Sequence, residues 1–265
     1  MGNGESVRLL HSTMPLITLT TDYGTVDSYI GEIRGVLLGA VPGVTLVDIS
    51  HNIAPGDVRS AAYVLGRAWR SFPAGTVHLA VVDPGVGTGQ AALAVRAQGH
   101  VFVAPDNGLL SGPLGGADVE AIALPTPPGA APTFHGRDLF APAAAALAAG
   151  RPLQELGSRF TGVPRRLAMA EPHYEGKSII GEVVHVDRFG NLITNLTPAL
   201  VPAYARFEVE GLDCGSLRNT FGDVPTGGVV VYLGSAGAIE VAVRDGSAAR
   251  RLGLGVGGRV TAILG

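Results

Sequence analysis

An α/β domain with a mainly parallel sheet, followed by an all-β barrel or sandwich domain, is the fold this sequence predicts. Two observations carry it. From residue 16 to 83, short β-type runs alternate with amphipathic helical stretches in the order β-α-β-α-β. That order argues for a parallel sheet with right-handed crossovers. Past residue 170, six short β-type runs follow one another, separated by Gly, Pro, Asp and Asn, the spacing of a small barrel or sandwich. The chain therefore divides into a disordered extension over 1–14, an α/β domain over 15–170 and a β-barrel domain over 171–265.

The elements follow in order. Leu16 to Thr20 is a strand that ends in the polar turn Thr21-Asp22-Tyr23-Gly24. Asp27 is placed to cap a helix with Ile30, Ile33, Val36, Leu37 and Ala40 on its apolar face. Val44 to Ile49 forms the second strand, closing on Ser50-His51. Asp57 caps a second helix that presents Val58, Ala61, Ala62, Leu65, Ala68 and Trp69. The third strand, Thr76 to Val82, stops on Asp83, because Pro84 has no amide hydrogen to continue the ladder. Gly85, Gly87 and Gly89 then allow a close backbone approach or positive φ.

Parallel strands linked by right-handed crossovers end on one sheet edge, where open α/β sheets bind ligands. Asp22, His51 and Asp83 all stand at such ends, and Pro105-Asp106-Asn107-Gly108 follows the next strand. Leu93–Val95 and Val101–Ala104 read as a hairpin, and Pro142–Ala149 as an alanine-rich helix with Gly150 after it. Residues 151–176 lack periodicity and read as a linker. The later strands are Ile179–Val186, Leu192–Leu196, Ala205–Val209, Val229–Leu233, Ile239–Val243 and Val260–Leu264.

Composition narrows the partners. The chain is 46% hydrophobic and 15% charged, enough for a substantial core, and its net charge of −3 attracts neither nucleic acid nor anionic membrane. Only one lysine is present, Lys177, which weakens any mechanism built on a catalytic lysine. Cys214 is alone, so there is no intrachain disulfide and no CxxC zinc site, and a reducing, cytoplasmic setting is expected. No apolar run reaches membrane-spanning length, and residues 1–14 lack the apolar stretch of a signal peptide.

Gly85-Val86-Gly87-Thr88-Gly89 looks at first like a phosphate loop. It lacks the GxGxxG spacing, the GK[ST] ending and a following helix. No HExxH and no Gly-x-Ser-x-Gly elbow occurs. Asp22, His51, Asp83 and His135 are donor types that metals accept, so a metal-dependent hydrolase stays open at this level.

The stretches TTDYG, HNIAPGD, VVDPGVGT, VAPDNGLLS, TFHGRDLFAPAAAALAAG and VDRFGNLITN, with Ser235-Ala236-Gly237 and Ala248-Ala249, occur in this order. In this the chain resembles the S-adenosyl-L-methionine (SAM) hydroxide adenosyltransferases, the adenosine-forming SAM hydrolases related to the fluorinating and chlorinating enzymes. The resemblance covers about residues 15–264. It implies an α/β domain followed by a β-barrel, and a homotrimer that holds SAM between one subunit's first domain and a neighbour's second. It also implies attack of water at the ribose C5′ of SAM, with adenosine and methionine as products. SAM is then substrate, and neither cofactor nor metal is expected.

The resemblance assigns Asp22 to the ribose hydroxyls, Asp83 and His135 to the water, Phe189 to stacking on adenosine and Asn191 to the adenine edge. It assigns Asp187 and Ser235 to the methionine ammonium and carboxylate, with Phe221 a looser match for a further aromatic surface. Asp187 and Asn191 could instead merely shape a β-turn, and Phe189 could be an ordinary core residue. Two departures stand out. Gln90 replaces the arginine that usually completes an Asp-Arg-His set, which makes Arg137 a candidate substitute and leaves a non-catalytic SAM- or adenosine-binding protein as one alternative. The halogenating relatives carry tyrosine at the position of Asp83; a carboxylate there repels halide and welcomes water, against a chlorinase. Gly136 is the residue of the chlorinating type rather than the fluorinating one, and Gly56 stands where the fluorinating enzymes place a tryptophan.

Overall fold

The computed structural model describes residues 14–116 and 118–265. Residues 1–13, most of the segment read as an extension, lie outside the described residues. The chain forms two compact units, one ending at Leu167 and the other spanning Ala168–Gly265.

Among the described residues, the first unit is built on one seven-stranded sheet. Its strands are β1 (Leu16–Thr21), β2 (Thr45–Ser50), β3 (Val77–Val81), β4 (Ala92–Ala97), β5 (His100–Pro105), β6 (Val119–Ala123) and β7 (Ser158–Arg159). They lie in the order β2-β1-β3-β5-β4-β6-β7. The β2-β1, β1-β3 and β3-β5 pairs are parallel. The other three pairs are antiparallel. The sheet is therefore mixed, not mainly parallel. The tight Gln98-Gly99 turn, with φ of 51° and 79°, folds β5 back on β4 and starts the antiparallel half.

Helices α1 (Tyr29–Ala40) and α3 (Ala141–Ala148) cover one face, packing Ile30, Ile33, Leu37 and the α3 alanines on Ile17, Leu19, Leu79 and Val81. Helix α2 (Val58–Ala68) covers the other, with Ala61, Leu65 and Trp69 on Ala80, Val82, Leu93 and Phe102. Burial on both faces explains why β1 and β3 are continuous buried runs. Asp57 caps α2, its Oδ1 accepting from Ser60 N at 3.0 Å. Asp27 does not cap α1; Ser28 occupies that position, and its hydroxyl donates to Glu32 at 2.7 Å instead.

The stretch read as a linker is tied down over much of its length. β7 pairs with β6, Arg165 N donates to Asp106 Oδ1 at 2.7 Å, and Leu167 N donates to Ser111 Oγ at 2.8 Å.

The second unit is an antiparallel sheet of eight strands among the described residues. These are β8 (His173–Glu175), β9 (Ser178–Val186), β10 (Leu192–Thr194), β11 (Arg206–Val209), β12 (Leu212–Ser216), β13 (Val229–Leu233), β14 (Ile239–Val243) and β15 (Arg259–Ile263). The order is β12-β11-β15-β9-β10-β14-β13, with β8 on β9. A bridge between Arg218 and Tyr232 brings the chain past β12 against β13, so the sheet nearly closes into a barrel. Its interior holds Ile179, Val183, Phe207, Val231, Val241 and Val260. A short helix, α4 (Ala248–Leu252), follows β14. Among the described residues no helix is long and apolar enough to cross a membrane.

Candidate active site

β2 and β3 flank β1 on opposite sides, so the chain reverses its direction of winding between β1 and β3. The crevice at such a switch point is where open α/β sheets take ligands. Thr21 is in register with Val81, which sets Asp22 and Asp83 just past two adjacent strand ends.

Asp22 Oδ2 accepts from Gly56 N at 2.8 Å, and its second oxygen accepts no hydrogen bond from the described residues. Asp83 Oδ1 accepts from Gly85 N at 3.1 Å and from Gln90 Nε2 at 2.7 Å, which leaves Oδ2 for a ligand. Burial pushes the Asp83 carboxyl above its ordinary pKa, and Gln90, Gly85 and the field of His135 offset only part of that shift. A Cβ at Gly85 would lie 2.8 Å from the Gln90 amide oxygen, so a side chain there would push the Gln90 amide aside. Gly87, at φ 76°, leaves room for the Pro132 carbonyl. Gly85 thus lies against the Gln90 amide that holds Asp83, and Gly87 against the 131–134 segment.

His135 leads into a π-helical turn, Gly136–Phe140, that continues into α3. Single π turns recur at functional sites because they re-aim one side chain out of helical register. Asp138 Oδ2 anchors this turn by accepting from Ala131 N at 2.9 Å. Asp22, Asp83, Gln90 and His135 therefore belong to one edge of the first unit, and the fields of Asp22 and His135 both reach Asp83.

Arg137, the candidate for the missing cation, is already paired with carboxylates. Its guanidinium pairs with Asp138 at 2.7 Å and Glu32 at 2.8 Å, and it lies 4.9 Å from the Phe134 ring centroid. Those two carboxylates hold its proton even more firmly than usual. His51 is a brace for the strand ends: Nδ1 meets Thr21 Oγ1 at 2.8 Å, and Nε2 lies 3.0 Å from Asp48 Oδ1, off the hydrogen-bond direction. Asp106 and Asn107 are structural as well, with Asn107 Nδ2 donating to the Val82 carbonyl at 2.8 Å. Among the described residues no group of three or more His, Cys, Asp or Glu side chains is arranged to hold a metal ion.

In the second unit, Asp187, Phe189 and Asn191 form a single turn between β9 and β10. Asp187 Oδ1 accepts from Phe189 N and Asn191 N, both at 2.9 Å, and Oδ2 accepts from Asn191 Nδ2 at 2.8 Å. The pair does shape a turn, so in this structure the Asn191 amide hydrogens serve Asp187, and its Oδ1 is the atom left for a ligand. Gly190, at φ 85°, has no room for a Cβ because the Ser247 hydroxyl ahead of α4 lies there. Phe189 is not core: the residue is 75% exposed, which leaves its ring free for stacking. Ser235 is exposed in the β13–β14 turn, and no hydrogen bond joins it to the 187–191 turn among the described residues. Phe221 packs on Tyr232 with ring centroids 4.8 Å apart and is 40% exposed.

Two residues were not foreseen. Glu240 is 8% exposed and accepts from the Tyr232 hydroxyl at 2.5 Å. Its other oxygen lies against Gly234, next to Ser235, where a Cβ would collide with it. The field of Asp187 also reaches Tyr232, which links the two turns electrostatically. A glutamate within the wholly buried strand Ile239–Val243 was the available signal. The second is Tyr23, in the TTDYG stretch beside Asp22.

Known proteins carry these two domains in the same order. The family model of the SAM hydroxide adenosyltransferase N-terminal domain matches residues 17–157, and that of the C-terminal domain matches residues 181–261. An (R)-S-adenosyl-L-methionine hydrolase from Thermus thermophilus is 45% identical over 88% of this chain and 94% of its own. Another from Salinispora arenicola is 41% identical over 95% of this chain and 99% of its own. The crystal structure of an uncharacterized conserved protein from Thermotoga maritima superposes with a TM-score of 0.85 at 36% identity, covering 93% of this chain and 99% of that one. With both domain models matched in order and the switch-point carboxylates in place, the chain belongs to the SAM hydroxide adenosyltransferase family.

Proposed function

We propose that the protein hydrolyses SAM to adenosine and L-methionine by attack of water on the ribose C5′. The observation that carries this is Asp83: a half-buried carboxylate at the switch point, fixed through one oxygen by Gln90 and Gly85, with the other oxygen unbonded and its pKa raised. A general base works best when its pKa approaches the operating pH. In this reading Asp83 Oδ2 and His135 accept the two water hydrogens and direct a lone pair at C5′. The O–C5′ bond forms as the C5′–S bond breaks, methionine leaves as a neutral thioether, and the water's proton passes to Asp83 or His135. The sulfonium needs neither a leaving-group acid nor a metal, so the protein's work is alignment and exclusion of bulk water.

Asp22 takes the ribose hydroxyls through its unbonded oxygen. The exposed Phe189 ring stacks on adenine, the Asn191 Oδ1 meets its edge, and Asp187 and Ser235 take the amino-acid end. These groups are divided between two compact units, and in this reading a homotrimer pairs the first unit of one subunit with the second of a neighbour. The lone cysteine supports a cytoplasmic location.

The test is incubation of the protein with SAM, with and without high chloride and EDTA, and chromatographic separation of the products. Adenosine and methionine in equal amounts, insensitive to both additions, are expected. A 5′-chloro product would make it a chlorinase, and tight SAM binding without product would make it a binding protein. Light scattering in solution tests the trimer.

A further inference from the structure

Tyr23 follows Asp22 directly, and its ring is locked in an aromatic group. Phe134 meets it edge-on with centroids 5.9 Å apart, Tyr29 lies 5.9 Å away, and Tyr29 and Phe134 are themselves 5.2 Å apart. The locked ring carries its hydroxyl to Gly136, the residue after His135. A Cβ at Gly136 would collide with that oxygen and come within 3.2 Å of two ring carbons. The backbone of the His135 turn is thus bare where the Tyr23 hydroxyl sits.

The hydroxyl makes no hydrogen bond to the described residues. Burial, together with the fields of Asp22 and Asp83, keeps its proton on, so it is a donor at any working pH. It is not one of the fully buried polar atoms that lack a partner, so this donor, held in place by its ring, stays open to a ligand oxygen.

We propose that the Tyr23 hydroxyl is a further water-positioning group, donating to the attacking oxygen, and that Gly136 is bare to make room for it. The inference rests on the SAM hydrolase reading. It completes the geometry of the nucleophile: the two hydrogens go to Asp83 and His135, one lone pair accepts from Tyr23, and the remaining lone pair points at C5′. Three fixed contacts define the direction of attack, whereas two leave a rotation about their axis.

Wild type, Tyr23→Phe, Gly136→Ala, Tyr23→Phe with Gly136→Ala, and Tyr23→Phe with Gly136→Ser are compared for SAM turnover and thermal melting. Tyr23→Phe keeps the ring packing and is expected to lower kcat about tenfold, the effect of one lost hydrogen bond, with KM unchanged. Gly136→Ala lowers kcat in the wild type, where it displaces the hydroxyl, and lowers it less in the Tyr23→Phe background. A serine at 136 in that background returns a hydroxyl to the same space and recovers part of the rate. If wild type turns over SAM and Tyr23→Phe matches its kcat, or loses only KM or melting temperature, the inference is overturned while the hydrolase reading stands. If wild type yields no adenosine, both fall.

Discussion

Gln90 offers the most direct test of the Asp83 assignment, because its Nε2 donates to Asp83 Oδ1 at 2.7 Å. The bond favours the ionised carboxylate, against burial, which disfavours it. A hydrogen bond to a charged group contributes about 1.5–3 kcal/mol, and about 1.4 kcal/mol corresponds to one pH unit of titration. Removing the donor in Gln90→Ala therefore raises the acid limb of kcat/KM by about one to two pH units. Gln90→Arg puts a cation in place of the neutral amide and moves the limb down by about one to three pH units. The acid limb of kcat/KM reports the free enzyme's base, so the profiles should order, from most acidic limb, as arginine, glutamine, alanine. Restoring arginine also stabilises a developing hydroxide and should raise the rate at neutral pH. A limb that does not move, or a reversed order, shows that Asp83 is not the titrating base. A lower plateau for Gln90→Arg shows that no cation is missing from the site.

Other perturbations give separate readouts. Asp83→Asn keeps the shape and the Gly85 contact but removes the base, and turnover should fall by about a hundredfold or more with adenosine affinity retained in calorimetry. Phe189→Ala should weaken adenosine binding by about 1–3 kcal/mol and leave the melting temperature unchanged, because the residue is 75% exposed; a large loss of stability would return Phe189 to a packing role. His78 is fully buried, accepts or donates to Thr18 Oγ1 at 2.7 Å and His100 Nδ1 at 3.1 Å, and burial lowers its pKa from 6.5 to about 3. The unfolded chain therefore binds a proton that the folded chain refuses between those values, so stability is fully present above about pH 6.5 and is lost as pH falls, at about 1.4 kcal/mol per pH unit. Denaturant melts of wild type and His78→Gln across that range should converge on acidification, and parallel curves would refute it.

The parts of the fold that the sequence made legible are those whose cause is local. Ile30, Ile33 and Leu37 recur at helical spacing because α1 buries one stripe, and Asp57 announces α2 because a capping carboxylate acts within one turn. The later strands show their alternation and their turn residues for the same reason. What the sequence hid depends on partners distant in the chain. The mixed pairing of the first sheet turns on β4 inserting between β5 and β6, with Ala94 opposite both Val103 and Ile122. Residues 161–167 carry no periodicity because they are held by single hydrogen bonds to Asp106 and Ser111 rather than by a buried face. Asp106 therefore has a polar residue's appearance and a structural duty, and no local pattern separates the two.

The site divides along the same line. Asp22 and Asp83 could be singled out because strand ends in a parallel sheet share one edge, a consequence of topology alone. Arg137 looked available because a sequence shows charge and not pairing, and its partner Glu32 lies 105 positions earlier. Tyr23 escaped notice for the complementary reason. It reads as one more residue of a polar turn, and only the contact with Gly136, across more than a hundred residues of chain, gives its hydroxyl a place. A glycine at 136 is ambiguous in sequence, since it is compatible with a turn, a close approach or an empty pocket. Placed against the phenol oxygen, it becomes a steric requirement, and the Tyr23–Gly136 pair is then read as one unit that a substitution at either position would disturb.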